Sequence, residues 1–416
     1  MKVFKFGGAS VKDAEGVKNL VSVLQQVGHK DTLLVISAMG KTTNAMEKVV
    51  ASYFRNHTSF ADSLQEVINY HEGILGNLFE NRQHTVYEKV YSLFEEVKGF
   101  LMWNKSPKYA FVYDQVVGYG ELVSTTIVSE YLKSEGLDNE WLDVRNLIKT
   151  DHAYRDAQVH WERTEIEVAK NVNTRNLNIT QGFLGSDDNN FTTTLGREGS
   201  DYTAAILGYC LNASSVTIWK DVPGVLNADP RNFDQTQLLD QISYREAIEL
   251  AFYGASVIHP KTLQPLQRKE IPLLVKSFMN PLAGGTTVGK GVKISPRVPC
   301  FIVKKDQVLL KLSSLDFSFI VEHNISAIFK LFHDHRMKVD LIQNSAISFS
   351  VCLDNKFNGL EGLLNDLNEK FKVVCHEGVS LYTIRHFDDE AVASLLNGHS
   401  VLVEQRGKET VQLVVK

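Results

Sequence analysis

The first half of the chain alternates short apolar runs with segments whose apolar residues recur every three or four positions. Residues 3–6 and 32–37 are apolar runs, as expected of strands buried on both faces of a parallel sheet. Each run ends at small residues, and a helical pattern then begins near Asp13 or near Thr43. This order of strand, loop and helix predicts an α/β sheet.

The middle of the chain is predicted to add helices and to extend this sheet. Residues 60–104 have a helical pattern, typical of an insertion or cap. A single helix is predicted from Tyr113 to about Ser134, with Gly120 and Glu121 inside it. Further strands are predicted at 141–144, 177–181, 216–219 and 273–276, the last of which should end this body.

The pattern changes after a turn-rich exit at 284–289 and a proline-containing linker at 290–299. Strands at 307–312, 339–342, 347–353 and 373–376 alternate with helices at 319–333 and 360–370, which is the ferredoxin-like α+β order. Extra strands at 380–384, 401–405 and 411–415 suggest a partial second copy. We therefore expect domains at 1–295, 300–378 and 379–416.

Composition and charge exclude some classes of protein. The chain has 416 residues, 44% hydrophobic and 22% charged, and a formal net charge of -5, which argues against nucleic-acid binding. The apolar runs are only strand length, so no membrane span is expected. The first residues enter a strand without an apolar leader, and four dispersed cysteines favour free thiols, so a cytoplasmic protein is expected.

The segment 192–205 has the features of an anion site. Leu195-Gly196 forms a turn, Arg197 offers a guanidinium fork, and Gly199-Ser200-Asp201 leads into a helix. The first N–H groups of a helix are unpaired and attract anions. The alternative is a surface turn in which Ser200 is an ordinary N-cap.

Other candidate residues follow the ends of predicted strands, where open α/β sheets bind ligands. Lys5, Gly7 and Gly8 combine a cation with a backbone that can approach phosphate, although a solvated lysine is the alternative. The hydroxyl groups of Ser37 and Thr43 could bind a small polar substrate, and the alternative is that these residues only cap the helix. Glu121 beside two glycines suits a substrate ammonium, or is a solvated surface glutamate.

These segments, in order over residues 1–290, resemble the aspartate kinases of the amino-acid kinase family, and the C-terminal part resembles ACT regulatory domains. The matching motifs are 5–11, 120–121, 180–183, 192–205, 221–224, 229–231, 254–255, 259–260 and 284–286. The resemblance implies a three-layer α/β/α kinase domain with a mostly parallel sheet. It also implies phosphorylation of the β-carboxylate of L-aspartate by ATP with Mg²⁺, giving 4-phospho-L-aspartate for lysine, threonine and methionine biosynthesis, without a dedicated metal site.

The resemblance also implies residue roles. Lys5 would offset the charge of the transferred phosphoryl group, and Asp201 would orient Lys5 or the ligands of Mg²⁺. The residues that would bind aspartate are Thr43, Glu121, Arg197 and Ser200. Asp340 and Ser345 would bind an effector, L-lysine or L-threonine, and ACT units would pair into a homodimer. ATP would contact Lys5, Gly7, Gly8, Ser37, Lys220, Asp221, Leu226, Arg231, Ser256 and Val257.

Three residues depart from the family pattern. Leu226 stands where a tyrosine is frequent, Ser256 where a lysine is frequent, and Glu198 where glycine is usual. Lys220 would then supply the charge that is missing at Ser256. An unregulated enzyme stays an open alternative, because the last stretch is short for a complete second ACT unit.

Two other functions compete with this one. The first is another carboxylate or nucleotide kinase of the same fold, an N-acetylglutamate or uridylate kinase, and Glu121 disfavours N-acetylglutamate because acetylation removes the ammonium. The second is a non-catalytic amino-acid sensor, supported by Ser256 and Leu226 and opposed by Lys5, Arg197 and Asp201. A fused homoserine dehydrogenase is not expected, for reasons of length.

Overall fold

The computed structural model describes residues 1–56, 60–255, 258–316, 318–396 and 398–416. The chain divides into two compact units. The first contains residues 1–225, 238–248 and 257–294, and the second contains 226–237, 249–256 and 295–416. The second unit therefore includes two segments that lie before the linker expected at 290–299.

The first unit is built on an eight-stranded sheet in the order β3-β4-β2-β1-β7-β9-β10-β8, with a separate β5-β6 pair. All neighbours in the large sheet are parallel except β9 and β10. The strands are β1 (Lys2–Phe6), β2 (Thr32–Ile36), β3 (Glu140–Leu142), β4 (Leu177–Gln181), β5 (Leu184–Ser186), β6 (Thr192–Thr194), β7 (Ser215–Lys220), β8 (Gln241–Ser243), β9 (Leu273–Ser277) and β10 (Thr286–Gly289).

The predicted α/β class with a mostly parallel sheet is confirmed, but the sheet does not end at β9. The segment expected to be only a turn-rich exit contains β10, which pairs antiparallel with β9 and parallel with β8. Both added strands are short, three and four residues, so neither shows a periodic pattern in the sequence.

Helices surround this sheet. They are α1 (Ala14–Val27), α2 (Thr42–Arg55), α3 (Phe60–Leu78), α4 (Thr85–Trp103), α5 (Tyr109–Val117), α6 (Tyr119–Ser134), α7 (Val144–Leu147), α8 (Trp161–Asn171), α9 (Gly199–Cys210), α10 (Tyr244–Tyr253) and α11 (Pro260–Arg268). The predicted helical segment at 60–104 forms α3 and α4. One apolar cluster joins their buried faces to central strands through residues such as Phe6, Ile36, Leu75 and Phe94.

The single helix predicted from Tyr113 to Ser134 is wrong, because the chain breaks at Gly118 into α5 and α6. A Cβ at Gly118 would lie 2.8 Å from Leu184, and one at Gly120 would lie 3.1 Å from Thr42. These glycines therefore permit close packing at the start of α6 rather than inside a long helix. Glu121 is consequently in the first turn of α6.

The second unit contains a six-stranded antiparallel sheet in the order β12-β13-β11-β14-β16-β15. Its elements are β11 (Cys300–Ser313), α12 (Glu322–Asp334), β12 (Lys338–Asn344), β13 (Ser348–Asp354), α13 (Leu360–Asn368), β14 (Lys372–Arg385), α14 (Asp389–Leu396), β15 (Val401–Arg406) and β16 (Thr410–Val415). The ferredoxin-like order predicted for its first part is confirmed.

Two long strands connect both halves of this sheet. The strands predicted at 373–376 and 380–384 are one strand, β14, and β11 begins at Cys300 rather than at 307. Irregular pairing between Lys304 and Gln307 divides β11, so its first half pairs with the end of β14, beside β16. The partial second copy therefore includes residues 300–304, which lie far from 379–416 in sequence.

Two properties of the described residues bear on the sequence expectations. No helix among them is long and apolar enough to cross a membrane. Within the described residues the four cysteines, Cys210, Cys300, Cys352 and Cys375, remain thiols outside any disulfide, as predicted, but only Cys300 and Cys352 are buried.

Candidate active site

A cavity of about 620 Å³ opens at the carboxyl ends of the central strands of the first unit. The loops after β1 and β2 and the last residue of β7 contribute to it, together with the starts of α2, α6 and α9. This is the edge at which open α/β sheets bind ligands. The predicted residues that line it are Lys5, Gly8, Ser37, Thr43, Glu121, Arg197, Ser200, Asp201 and Lys220.

Lys5 and Asp201 form a buried ion pair at the floor of the cavity. The Lys5 Nζ lies 2.6 Å from Asp201 Oδ1, and the Lys220 Nζ lies 3.8 Å from Asp201 Oδ2. Burial by itself would raise the pKa of Asp201, but the ammonium groups of Lys5 and Lys220 hold that pKa below its usual value. One carboxylate thus orients two cations where the sheet ends.

The Gly7–Gly8 segment brings backbone close to these charges. Gly8 begins a 3-10 turn, and a Cβ at this position would lie 2.8 Å from the carbonyl oxygens of Ala38 and Gly40. A Cβ on Gly7 would lie 3.2 Å from the Lys5 Nζ. Only glycine allows the loops after β1 and β2 to pack this closely beside the lysine. Gly7 itself is not among the residues that line the cavity.

Glu121 is a buried carboxylate with one oxygen available to a ligand. The residue is 2% exposed, and its Oε2 has no hydrogen-bond partner among the described residues. Burial raises the pKa of Glu121 to about 8, although hydrogen bonds from the Ala38 backbone and the Thr43 side chain oppose that rise. A carboxylate held in this way gains from an incoming ammonium group, so the alternative of a solvated surface glutamate is wrong.

The start of α9 differs from the expected capping arrangement. Glu198 is the N-cap residue, with a left-handed φ of +54° and no capping hydrogen bond from its side chain, while Ser200 lies inside the helix. The predicted alternative of an ordinary Ser200 N-cap is therefore wrong. Arg197 is exposed, lines the cavity, and makes no ion pair within the described ranges. Its guanidinium is available to an anionic ligand.

Among the other residues predicted to contact the nucleotide, those that the structure describes do not line this cavity. Asp221 is exposed on the turn after β7. Leu226 and Arg231 belong to the second unit, where the Arg231 guanidinium lies 2.6 Å from Asp229. Ser256 and Val257 lie outside the described residues.

The two predicted effector residues, Asp340 and Ser345, have different partners and do not line the same cavity. The Asp340 carboxylate is 4% exposed and pairs with the Lys304 Nζ at 2.7 Å. Ser345 is exposed and exchanges a hydrogen bond with Ser348. A separate cavity of about 550 Å³ in the second unit includes Asp340 but not Ser345.

Several lining side chains were given no role by the sequence reasoning. They include Asn44, Glu47, Tyr113, Arg155 and Phe183, although Phe183 lies in the matching motif 180–183. Asn44 directly follows the predicted Thr43 on α2, and Glu47 lies one helical turn beyond Thr43, so helical periodicity offers a signal for Glu47 alone. Tyr113 reads as a core aromatic. Arg155 and Phe183 have φ values of +74° and +73°, which no sequence pattern indicates for residues other than glycine.

Comparisons with known proteins agree with this geometry. Residues 1–277 match the amino acid kinase family. Lysine-sensitive aspartokinase 3 of Escherichia coli strain K12 is 32% identical over 397 residues, which covers 92% of this chain and 86% of that protein.

Two crystal structures of E. coli aspartokinase III are also similar, each at 29% identity over 100% of this chain and 96% of theirs. The complex with lysine and aspartate in the T-state has a TM-score of 0.83. The complex with aspartate and ADP in the R-state has a TM-score of 0.80.

Proposed function

The chain belongs to the amino acid kinase family, and from this premise we propose that it transfers a phosphoryl group from ATP, bound with Mg²⁺, to the β-carboxylate of L-aspartate. The product is 4-phospho-L-aspartate, which commits aspartate to lysine, threonine and methionine biosynthesis. The relatives named as aspartokinases, which match over most of their length, support this reaction.

One observation carries the choice of acceptor. A single cavity contains an available carboxylate oxygen on the buried Glu121, an exposed guanidinium on Arg197, and the Lys5–Asp201 pair. L-Aspartate presents the complementary groups, which are an ammonium, an α-carboxylate and a reacting β-carboxylate. Thr43 and Ser200 add hydroxyl groups to the same wall.

The chemical roles follow from charge. Phosphoryl transfer needs positioning and neutralisation of charge more than covalent help from the protein. Lys5 offsets the charge of the transferred group, and Asp201 holds the ammonium of Lys5 in place at 2.6 Å. Because a free β-carboxylate is ionised near pH 7, the attacking oxygen needs no general base. Ser37 and Lys220 serve the nucleotide side of the cavity.

The competing functions are disfavoured by specific residues. An N-acetylglutamate kinase has no ammonium to pair with Glu121, so a buried carboxylate at that position would oppose binding. A non-catalytic sensor has no need for the buried Lys5–Asp201 pair, whose ions are costly to desolvate.

Regulation, assembly and location form the finer part of the proposal. L-Lysine is the effector that we favour over L-threonine, because the similar E. coli protein is named lysine-sensitive. The ferredoxin-like second unit is the ACT region through which two copies form a homodimer. The protein acts in the cytoplasm and contacts neither nucleic acid nor membrane.

The decisive experiment traps the acyl phosphate. Purified protein with ATP, Mg²⁺ and L-aspartate should give aspartyl hydroxamate when hydroxylamine is present, and no product when aspartate is replaced by N-acetylglutamate. Product from N-acetylglutamate alone would overturn the proposal. Repeating the assay with L-lysine, L-threonine and L-methionine identifies the effector.

A further inference from the structure

Among the described residues, two of the four cations that line the active-site cavity form no ion pair with a carboxylate. Lys5 and Lys220 both pair with Asp201. Arg155 and Arg197 line the same cavity, and neither forms an ion pair with any residue in the described ranges. The cavity therefore holds two guanidinium groups without an ion pair in the described ranges, although burial raises the pKa of the nearby Asp114 and the charge of Arg155 helps to oppose that rise. The proposed binding of aspartate uses only Arg197.

The backbone of Arg155 is held in an unusual conformation by a buried group. Its φ is +74°, in the left-handed region that residues other than glycine avoid. The Arg155 N–H donates to both oxygens of Asp114, at 3.2 and 3.1 Å, and Asp114 is fully buried. The same carboxylate accepts hydrogen bonds from Thr194 N and Oγ1 at 2.8 and 2.9 Å. Strain of this kind persists where the surrounding contacts impose it, and it concentrates at functional sites.

The side chain of Arg155 is oriented by an aromatic platform. Its guanidinium carbon lies 4.4 Å from the centroid of the Tyr113 ring and 5.7 Å from that of Tyr109. The Tyr113 hydroxyl donates to Glu47 Oε1 at 2.8 Å, and Tyr113 and Glu47 also line the cavity. A guanidinium stacked on a ring keeps its N–H donors free at the edge for a planar anion.

We propose that Arg155 is a second guanidinium for the α-carboxylate of the acceptor and sets the preference for acceptors that carry this group. The inference rests on the proposed function, in which the β-carboxylate reacts beside Lys5 and the α-carboxylate is the one remaining anion of aspartate. Lys5 and Lys220 both pair with Asp201, and their charges face the phosphoryl group in the proposed reaction. Arg155 and Arg197 then contact the α-carboxylate together.

Arg155→Gly is the informative variant because glycine adopts a φ of +74° without strain, so the fold is preserved. We expect the KM for L-aspartate to rise about tenfold, because the variant loses one charge-assisted contact in a solvent-accessible site. The kcat and the KM for ATP should stay within twofold of the values of the unaltered protein. Arg155→Lys keeps a charge without the fork and should give an intermediate KM. Lys261→Ala is the matched control, because Lys261 pairs with the neighbouring Asp156 but does not line the cavity.

β-Alanine separates recognition of the α-carboxylate from a change in cavity shape. It keeps the ammonium and the reacting carboxylate of aspartate but lacks the α-carboxylate, so its inhibition constant should change less than twofold in Arg155→Gly. An unchanged aspartate KM, a change confined to the KM for ATP, or an equal loss for β-alanine would overturn the role of Arg155 while the proposed function stands. Absence of aspartyl product from the unaltered protein would remove both.

Discussion

Glu121 is a buried carboxylate whose burial is costly and which we propose to bind the substrate ammonium. Its carboxylate is buried, and one of its oxygens has no hydrogen-bond partner among the described residues. Gly118, directly before α6, packs against Leu184 and so brings the side chain beside the loop after β2. The sequence marks the residue by its neighbouring glycines, but its burial depends on the packing of α6 on α2 and β5.

Glu121 should make aspartate binding depend on pH. Burial raises the pKa of this carboxyl to about 8, so it becomes neutral as the pH falls below that value and loses its attraction for the substrate ammonium. We expect the KM for L-aspartate to rise about tenfold between pH 7 and pH 6. In Glu121→Gln the KM should be high and nearly independent of pH over this range. A wild-type KM that stays flat from pH 6 to 8 would contradict ammonium recognition by Glu121.

Lys5 should act on the reaction rate rather than on aspartate affinity. Its Nζ pairs with Asp201 at the floor of the cavity, where the proposed reaction would develop phosphoryl charge in the transition state. Lys5→Ala should lower kcat by about 10²- to 10³-fold and change the aspartate KM less than threefold. The measurement is the steady-state kinetics of Lys5→Ala. The control is Lys18→Ala, because Lys18 is an exposed lysine on α1. An unaltered kcat in Lys5→Ala would refute the assigned role.

At the scale of elements, the start of β12 is tied to the first half of β11 by a charge pair. The Lys304 Nζ lies 2.7 Å from Asp340 Oδ1, and the Asp340 side chain is 4% exposed. Lys338 is more distant, at 3.6 Å, and its side chain is 70% exposed. The pair joins strands in different halves of the sheet. Asp340 therefore has Lys304 as a structural partner, in addition to its predicted role in effector binding.

Breaking this pair on one side should destabilise the second unit. Lys304→Met leaves a buried carboxylate whose remaining ion-pair partner among the described residues is the exposed Lys338. We expect the local free energy of unfolding to fall by about 3 kcal/mol. Adding Asp340→Leu should recover most of that loss, because an apolar pair replaces a buried charge. The exposed pair of Lys330 with Asp334 on α12 is the control, and Lys330→Met should cost less than about 1 kcal/mol.

The measurement must report on the second unit. The four tryptophans, Trp103, Trp141, Trp161 and Trp219, all lie in the first unit, so tryptophan fluorescence would miss the change. Hydrogen exchange of the β11 and β12 amides, followed by mass spectrometry, reads the local free energy of opening directly. Equal protection in Lys304→Met and in the unaltered protein would show that the pair contributes nothing.

At the scale of the whole molecule, the resemblance to aspartate kinases is confirmed, and so is the fold class. The prediction rested on motifs that follow strands in a fixed order, and such motifs are local in sequence. The division into units was less predictable. Residues 226–237 and 249–256 belong to the second unit although they precede the linker, since compactness depends on contacts that adjacent residues do not reveal.

The sequence by itself determined the central parallel strands and the helices that follow them. It also determined nine residues that line the cavity, which are Lys5, Gly8, Ser37, Thr43, Glu121, Arg197, Ser200, Asp201 and Lys220. Burial patterns and short motifs encode these features locally. Tertiary structure alone decided the break at Gly118, the continuity of β14, and the entry of Arg155 into the site. Each of these depends on a contact between distant segments, as Arg155 depends on the buried Asp114, and no local pattern specifies such a contact.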